Sequence, residues 1–94
     1  MAVREDPEQN EDRVLARLIP SFTGRRVLEI GAGDGRITRK FAGLAASTIA
    51  IDPKTEEIER LRAELPSIDA RPIGIQDLRL PPRSVDVAIF SWAL

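Results

Sequence analysis

Apolar positions along this chain change period several times, and each change marks an element. Val14, Leu15, Leu18 and Ile19 recur at helical spacing. Asp6 is placed to cap that helix, Pro7 falls in its first turn, Gln9 stands three residues after the cap, and Pro20 closes it. The pattern predicts an amphipathic helix laid on a sheet after a polar leader, with leader and helix together filling residues 1–20. Arg26 to Ile30 then reads as a short apolar strand. A glycine turn and a helix to about Ala42 follow, with Ile37, Phe41 and Leu44 as the buried stripe and Gly43 as a left-handed C-cap.

Thr48 to Ile51 is a second apolar β run, closed by Asp52. Asp52-Pro53 suits an N-cap with proline at the first helical position, and Ile58, Leu61 and Leu65 form the inward stripe up to Pro66. Glu56 and Arg60 are spaced to pair on its wet side. Ile68 to Ile75 reads as a third strand, but Pro72 cannot donate to a central ladder and predicts a sheet edge. After the turn-rich Leu80 to Ser84, Val85 to Trp92 is almost continuously apolar, the pattern of a strand buried on both faces. Right-handed crossovers then give one α/β unit, a Rossmann-like and at least partly parallel sheet in the order 3-2-1-4 with flanking helices.

Composition narrows the chemistry. The 94 residues are 43% hydrophobic and 31% charged, a globular balance. Lys+Arg 14 against Asp+Glu 15 leaves a net charge of −1, with no basic surplus to suggest a nucleic-acid partner. No apolar run reaches the ~18 residues of a membrane span and the acidic N-terminus is not a signal peptide, so a cytoplasmic chain is expected. With Cys 0 and His 0 there is no thiolate, imidazole base or cysteine-based metal site, and acid–base work would fall to carboxylates.

The chemical signal lies in Glu29-x-Gly31-x-Gly33-x-Gly35. Glycines tolerate positive φ and let a ligand approach the backbone, and a helix starting just after them would aim free N–H groups at it. A dinucleotide fingerprint would need glycine at position 36, where Arg36 stands, which disfavours a nicotinamide-dependent oxidoreductase. Asp52 closes the next strand near the ~20-residue offset of an acid that grips ribose hydroxyls. The same carboxylate could be only a helix cap.

This glycine pattern resembles motif I of class I S-adenosylmethionine (SAM) dependent methyltransferases. Ile49 to Asp52 resembles that family's second motif, Gly74 to Pro81 its third, and Val85 to Ser91 the strand carrying its fourth. The likeness runs from about Arg25 to Leu94. It implies SAM as cofactor, with Gly31, Ala32, Gly33 and Gly35 under its methionine part and Glu29 steadying the loop. It also implies that Asp52 holds both ribose hydroxyls and that Pro53 touches the adenine. Asp77 would accept from the adenine amino group, with the Leu78 N–H beside the ring, Gln76 would be a further cofactor-binding residue, and Ser91 and Trp92 would border the methyl donor. Asp77 could equally be a turn former and Trp92 a core residue.

Family members continue with further strands, so the chain reads as an incomplete domain of residues 1–94 supplying the cofactor-binding half. The methyl acceptor stays unidentified and no residue stands out as a catalytic base. The rival reading is a non-catalytic SAM- or nucleotide-binding unit. In either case the uncovered fourth strand should invite self-association or a completing partner.

Overall fold

The computed structural model describes residues 7–91, with side chains from residue 13 onward, so Asp6 and Trp92 lie outside the described residues. Helix α1 (Pro7–Leu18) runs into a 3-10 turn (Ile19–Phe22) that contains Pro20. Strand β1 (Arg26–Ile30), helix α2 (Thr38–Phe41), strand β2 (Ser47–Ile51), helix α3 (Thr55–Glu64) and strand β3 (Asp69–Arg71) follow. A 3-10 turn (Ile75–Asp77) interrupts the connection to strand β4 (Val87–Phe90). The sheet order is β3-β2-β1-β4 and every pair is parallel, as the crossover argument requires.

Strand alternation divides the core between the two faces of the sheet. On one face Val27 and Ile89 pack with Leu15, Phe22, Ile37 and Phe41. The rings of Phe22 and Phe41 meet edge to face at 5.1 Å. Beside them Ala50 and Ala70 lie under Ile58 and Leu61, so all three helices cover this one face. On the other face, Leu28, Ile30 and Ile51 are covered by Ile73, Leu78, Leu80 and Val85 of the β3–β4 connection, which does the work of a helix layer.

Several elements depart from the periodicity. Strand β3 ends at Arg71, one residue before Pro72, and lies at the sheet edge. Strand β4 is buried on one face only: Ile89 is inside, whereas Ala88 and Phe90 are exposed, because β4 forms the other edge of the described sheet. Its apolar run predicted two buried faces. Val14, Leu18 and Leu44 are also exposed, so of the α1 stripe Leu15 alone is fully buried and Ile19 partly. Gly43 does not adopt positive φ. Helix α2 is one turn long, and Ala42 and Leu44 close it through N–H bonds to Thr38 O and Phe41 O instead of a left-handed cap.

Candidate functional site

Strand β1 delivers the chain at Ile30 into the glycine loop, where φ is +79° at Gly31, +56° at Gly33 and +87° at Gly35. Five amides of the loop are spent internally. The N–H groups of Gly31 and Ala32 donate to the Ile51 carbonyl at 2.9 and 3.0 Å. Gly33 N–H donates to Asp52 Oδ2 at 2.9 Å, Gly35 N–H to Ala32 O at 3.0 Å, and Arg36 N–H to Asp34 Oδ1 at 3.1 Å. Helix α2 begins only at Thr38. The sequence predicted a helix start just after the glycines, with its free N–H groups aimed over the turn; here α2 starts three residues after Gly35, and the loop is braced against β2 as a preformed wall.

Asp52 is the brace. Its side chain is buried, and its second oxygen, Oδ1, accepts from Lys54 N–H at 2.9 Å. Because α3 starts at Thr55, Asp52 is not its N-cap and Pro53 is not its first residue. A carboxylate oxygen can accept two hydrogen bonds. One donor on each leaves Asp52 with acceptor capacity on both.

Glu29 is fully buried behind the loop, where Oε1 accepts from Thr38 Oγ1 and Oε2 from Ser91 Oγ. Burial pushes its carboxyl above the usual range, and the Ser91 and Thr38 hydroxyls pull the other way. One carboxylate thus joins the end of β1 to α2 and to the residue after β4.

Two adjoining cavities open at the carboxyl ends of the strands. The first, about 310 Å³, is bounded by Gly31, Ala32, Gly33, Asp52 and Ser91, with the charged Arg36, Lys54 and Glu57 also in its wall. The second, about 380 Å³, is mainly apolar, with Ile51, Pro53, Ile73, Ile75 and Gln76 around it. Gly31, Asp52 and Lys54 belong to both, so Asp52 stands at their junction. This is the switch point where the order turns from β1 toward β4.

Of the predicted site residues, these cavities gather Gly31, Ala32, Gly33, Asp52, Pro53, Gln76 and Ser91. Glu29 acts from behind the wall. Gly35 lies beneath it, its missing Cβ occupied by Leu61. Asp77 and Leu78 line neither cavity. Leu78 packs its side chain into the core and gives its N–H to Ile75 O at 3.1 Å, so that amide is not offered to a ring. Asp77 is an exposed turn residue with its N–H on Gly74 O. Sequence reasoning missed Thr38 and Lys54. Thr38 carried one weak signal, a hydroxyl residue three positions before the buried Phe41 and so on the inward side of the helix. Among the described residues no helix is long and apolar enough to cross a membrane.

Residues 27–94 match the sequence profile of the methyltransferase domain family. The chain is 34% identical over 76 residues to a Mycobacterium tuberculosis protein named "Probable S-adenosylmethionine-dependent methyltransferase", covering 81% of this chain and 28% of that one. It is 30% identical over 96 residues to wheat (Triticum aestivum) phosphoethanolamine N-methyltransferase 1, covering 96% of this chain and 19% of that one. Among solved structures, the DhpI–SAH complex superposes with a TM-score of 0.72 at 28% identity, over 88% of this chain and 41% of that one. The chain therefore spans less than a third of the length of these two curated relatives.

Proposed function

Because this chain belongs to the class I SAM-dependent methyltransferase family, we propose that its two joined cavities hold one SAM molecule and that it supplies the cofactor-binding part of a methyl-transfer enzyme. The observation that carries this reading is Asp52. It stands at the junction of a mainly apolar and a polar cavity, with acceptor capacity on both oxygens. A ribose diol flanked by an apolar base and a polar tail matches that sequence of surfaces. Ile73, Ile75 and Pro53 would contact the adenine, and the wall from Gly31 to Gly33 the sulfur-bearing end.

The bound cofactor supplies an electrophilic methyl group. When bound, it would offer that methyl to a nucleophilic N, O, C or S of an acceptor, the electrons of the broken sulfur–carbon bond staying on sulfur. The chain contributes position: a preformed loop and a braced carboxylate hold the donor in one pose, the effect that makes an in-line displacement fast. Calorimetric titration with S-adenosylhomocysteine should show binding, and titration with NADH none. The opposite preference overturns the reading. The exposed outer face of β4 favours a second version, in which the chain binds cofactor as one subunit of an assembly. Turnover of about 1 per second or faster by the purified chain alone would exclude that version.

A further inference from the structure

The mainly apolar cavity has a single polar side chain away from its junction with the other cavity. Asp52 and Lys54 border both cavities, whereas Gln76 borders only the apolar one. The Gln76 amide is folded back over Gly74. A Cβ built at Gly74 would lie 2.7 Å from Gln76 Oε1 and 3.0 Å from both Cδ and Nε2. Gly74 has φ −84°, which any residue adopts, so what its missing side chain provides is space for that amide. Gln76 accepts at its backbone carbonyl from Arg79 Nη1 at 3.0 Å. Among the described residues no hydrogen bond holds its side chain. The neighbouring Asp77 is exposed and lines neither cavity.

We propose that Gln76, seated on Gly74, reads the exocyclic group of the ligand's base, the role that the resemblance gives to Asp77, and that the site therefore accepts hypoxanthine as well as adenine. The inference rests on the reading of these cavities as a SAM site. A purine is joined to ribose through its smaller ring, so with the ribose at Asp52 its exocyclic group points away from the junction. Gln76 is the polar side chain on that side of the cavity. An acceptor-only carboxylate would take the adenine amino group and repel the hypoxanthine carbonyl. An amide carries both an acceptor and a donor, and half a turn about its last bond exchanges them. For Gln76 that turn breaks no hydrogen bond among the described residues. Amino and carbonyl substituents are then read about equally well.

The test is a ligand-by-residue cycle at neutral pH. Calorimetry compares S-adenosylhomocysteine, S-inosylhomocysteine, in which a carbonyl replaces the amino group, and the analogue whose purine bears hydrogen at that carbon. The wild-type chain should bind the first two within about threefold of each other. It should bind the third roughly three- to tenfold more weakly, the share of one neutral hydrogen bond. Gln76→Ala should bring all three within about twofold, with affinity for the unsubstituted purine compound unchanged. Gly74→Ala should do the same by displacing the amide, at little cost in urea unfolding because its φ suits alanine. Asp77→Ala should leave the wild-type pattern intact. Wild-type rejection of the inosine compound by more than about tenfold, loss of the pattern in Asp77→Ala, or its persistence in Gln76→Ala overturns the inference while the cofactor reading stands. Failure of the wild type to bind any of the three compounds overturns both.

Discussion

Replacing Gly35 by alanine tests whether the glycine loop is shaped by its ligand or by the helix beneath it. A Cβ built at Gly35 falls 2.4 Å from Leu61 Cδ1 and 3.4 Å from Cγ, at a backbone φ of +87°. Leu61 is fully buried among Ala50, Ile58 and Ala70, so its methyl cannot swing out without disturbing the packing. Left-handed backbone costs alanine roughly 1–2 kcal/mol, and overpacking a closed core about 1–3 kcal/mol. The expected loss is therefore roughly 2–5 kcal/mol, against a total of roughly 5–15 kcal/mol for a domain of this size. At Gly33, with φ +56°, the nearest atom to an added Cβ is Glu57 Oε1 at 3.5 Å, so Gly33→Ala should lose the backbone share alone. Urea unfolding of Gly35→Ala, Leu61→Ala and the double variant separates the two contributions. Leu61→Ala makes room, so adding Gly35→Ala in that background should cost only about 1–2 kcal/mol. Strict additivity within about 0.5 kcal/mol would refute the contact, and a Gly33→Ala loss equal to that of Gly35→Ala would refute the assignment of Leu61.

Asp52→Asn keeps one acceptor oxygen but sets an amide N–H against a backbone donor. Stability should fall by about 1–3 kcal/mol and S-adenosylhomocysteine affinity by about 1.5–3 kcal/mol; calorimetry showing intact affinity in the folded variant would remove Asp52 from the ribose. Asp86 accepts from the Arg26 backbone N–H at 2.8 Å and from its guanidinium at 2.9 and 3.1 Å, which holds its carboxyl down to about 2. A depressed native value adds stability above the ordinary range near 3.9 and loses it as pH falls toward 2. Asp86→Asn should flatten that acid limb in unfolding titrations. Glu29 has the opposite sign: its raised native value costs stability as pH climbs above the ordinary range and the buried group ionises. In Glu29→Gln that decline should be absent, whatever the absolute stability of the variant.

Sheet order and most strand positions were legible because right-handed crossovers and short apolar runs leave little freedom. Asp52 was legible as a site residue, but its partners were not. Its carboxylate reaches back to Gly33 across the β1–β2 crossover, whereas local propensity pointed forward to a cap on α3. The partner of the Leu78 N–H was hidden for a related reason. A 3-10 turn takes up that amide, and no composition rule marks so short a turn. The double burial expected for β4 failed because an apolar sequence states what a strand could bury, while its place at the edge of the described sheet decides what it does. Thr38 and Ser91 converge on Glu29 from 9 and 62 residues further along the chain, and only the β1–β4 pairing brings the second of them there.

That pairing also sets an order of events during folding. Strands β1, β2 and β3 are joined by neighbouring crossovers, with Arg26 facing Ser47, but the contact of Arg26 with Asp86 spans 60 residues. Closing the longer span costs about 1 kcal/mol more in chain entropy than closing one a third as long. The β3-β2-β1 part of the sheet, with its glycine loop already tied to Ile51 and Asp52, can therefore assemble first. Without β4, Glu29 lacks its Ser91 partner. The docking of β4 brings in Ser91 and completes the pair of hydroxyls on the buried carboxylate. The glutamate that backs the cavity wall in the finished protein thus takes its second hydroxyl partner from the sheet pairing of longest reach in sequence.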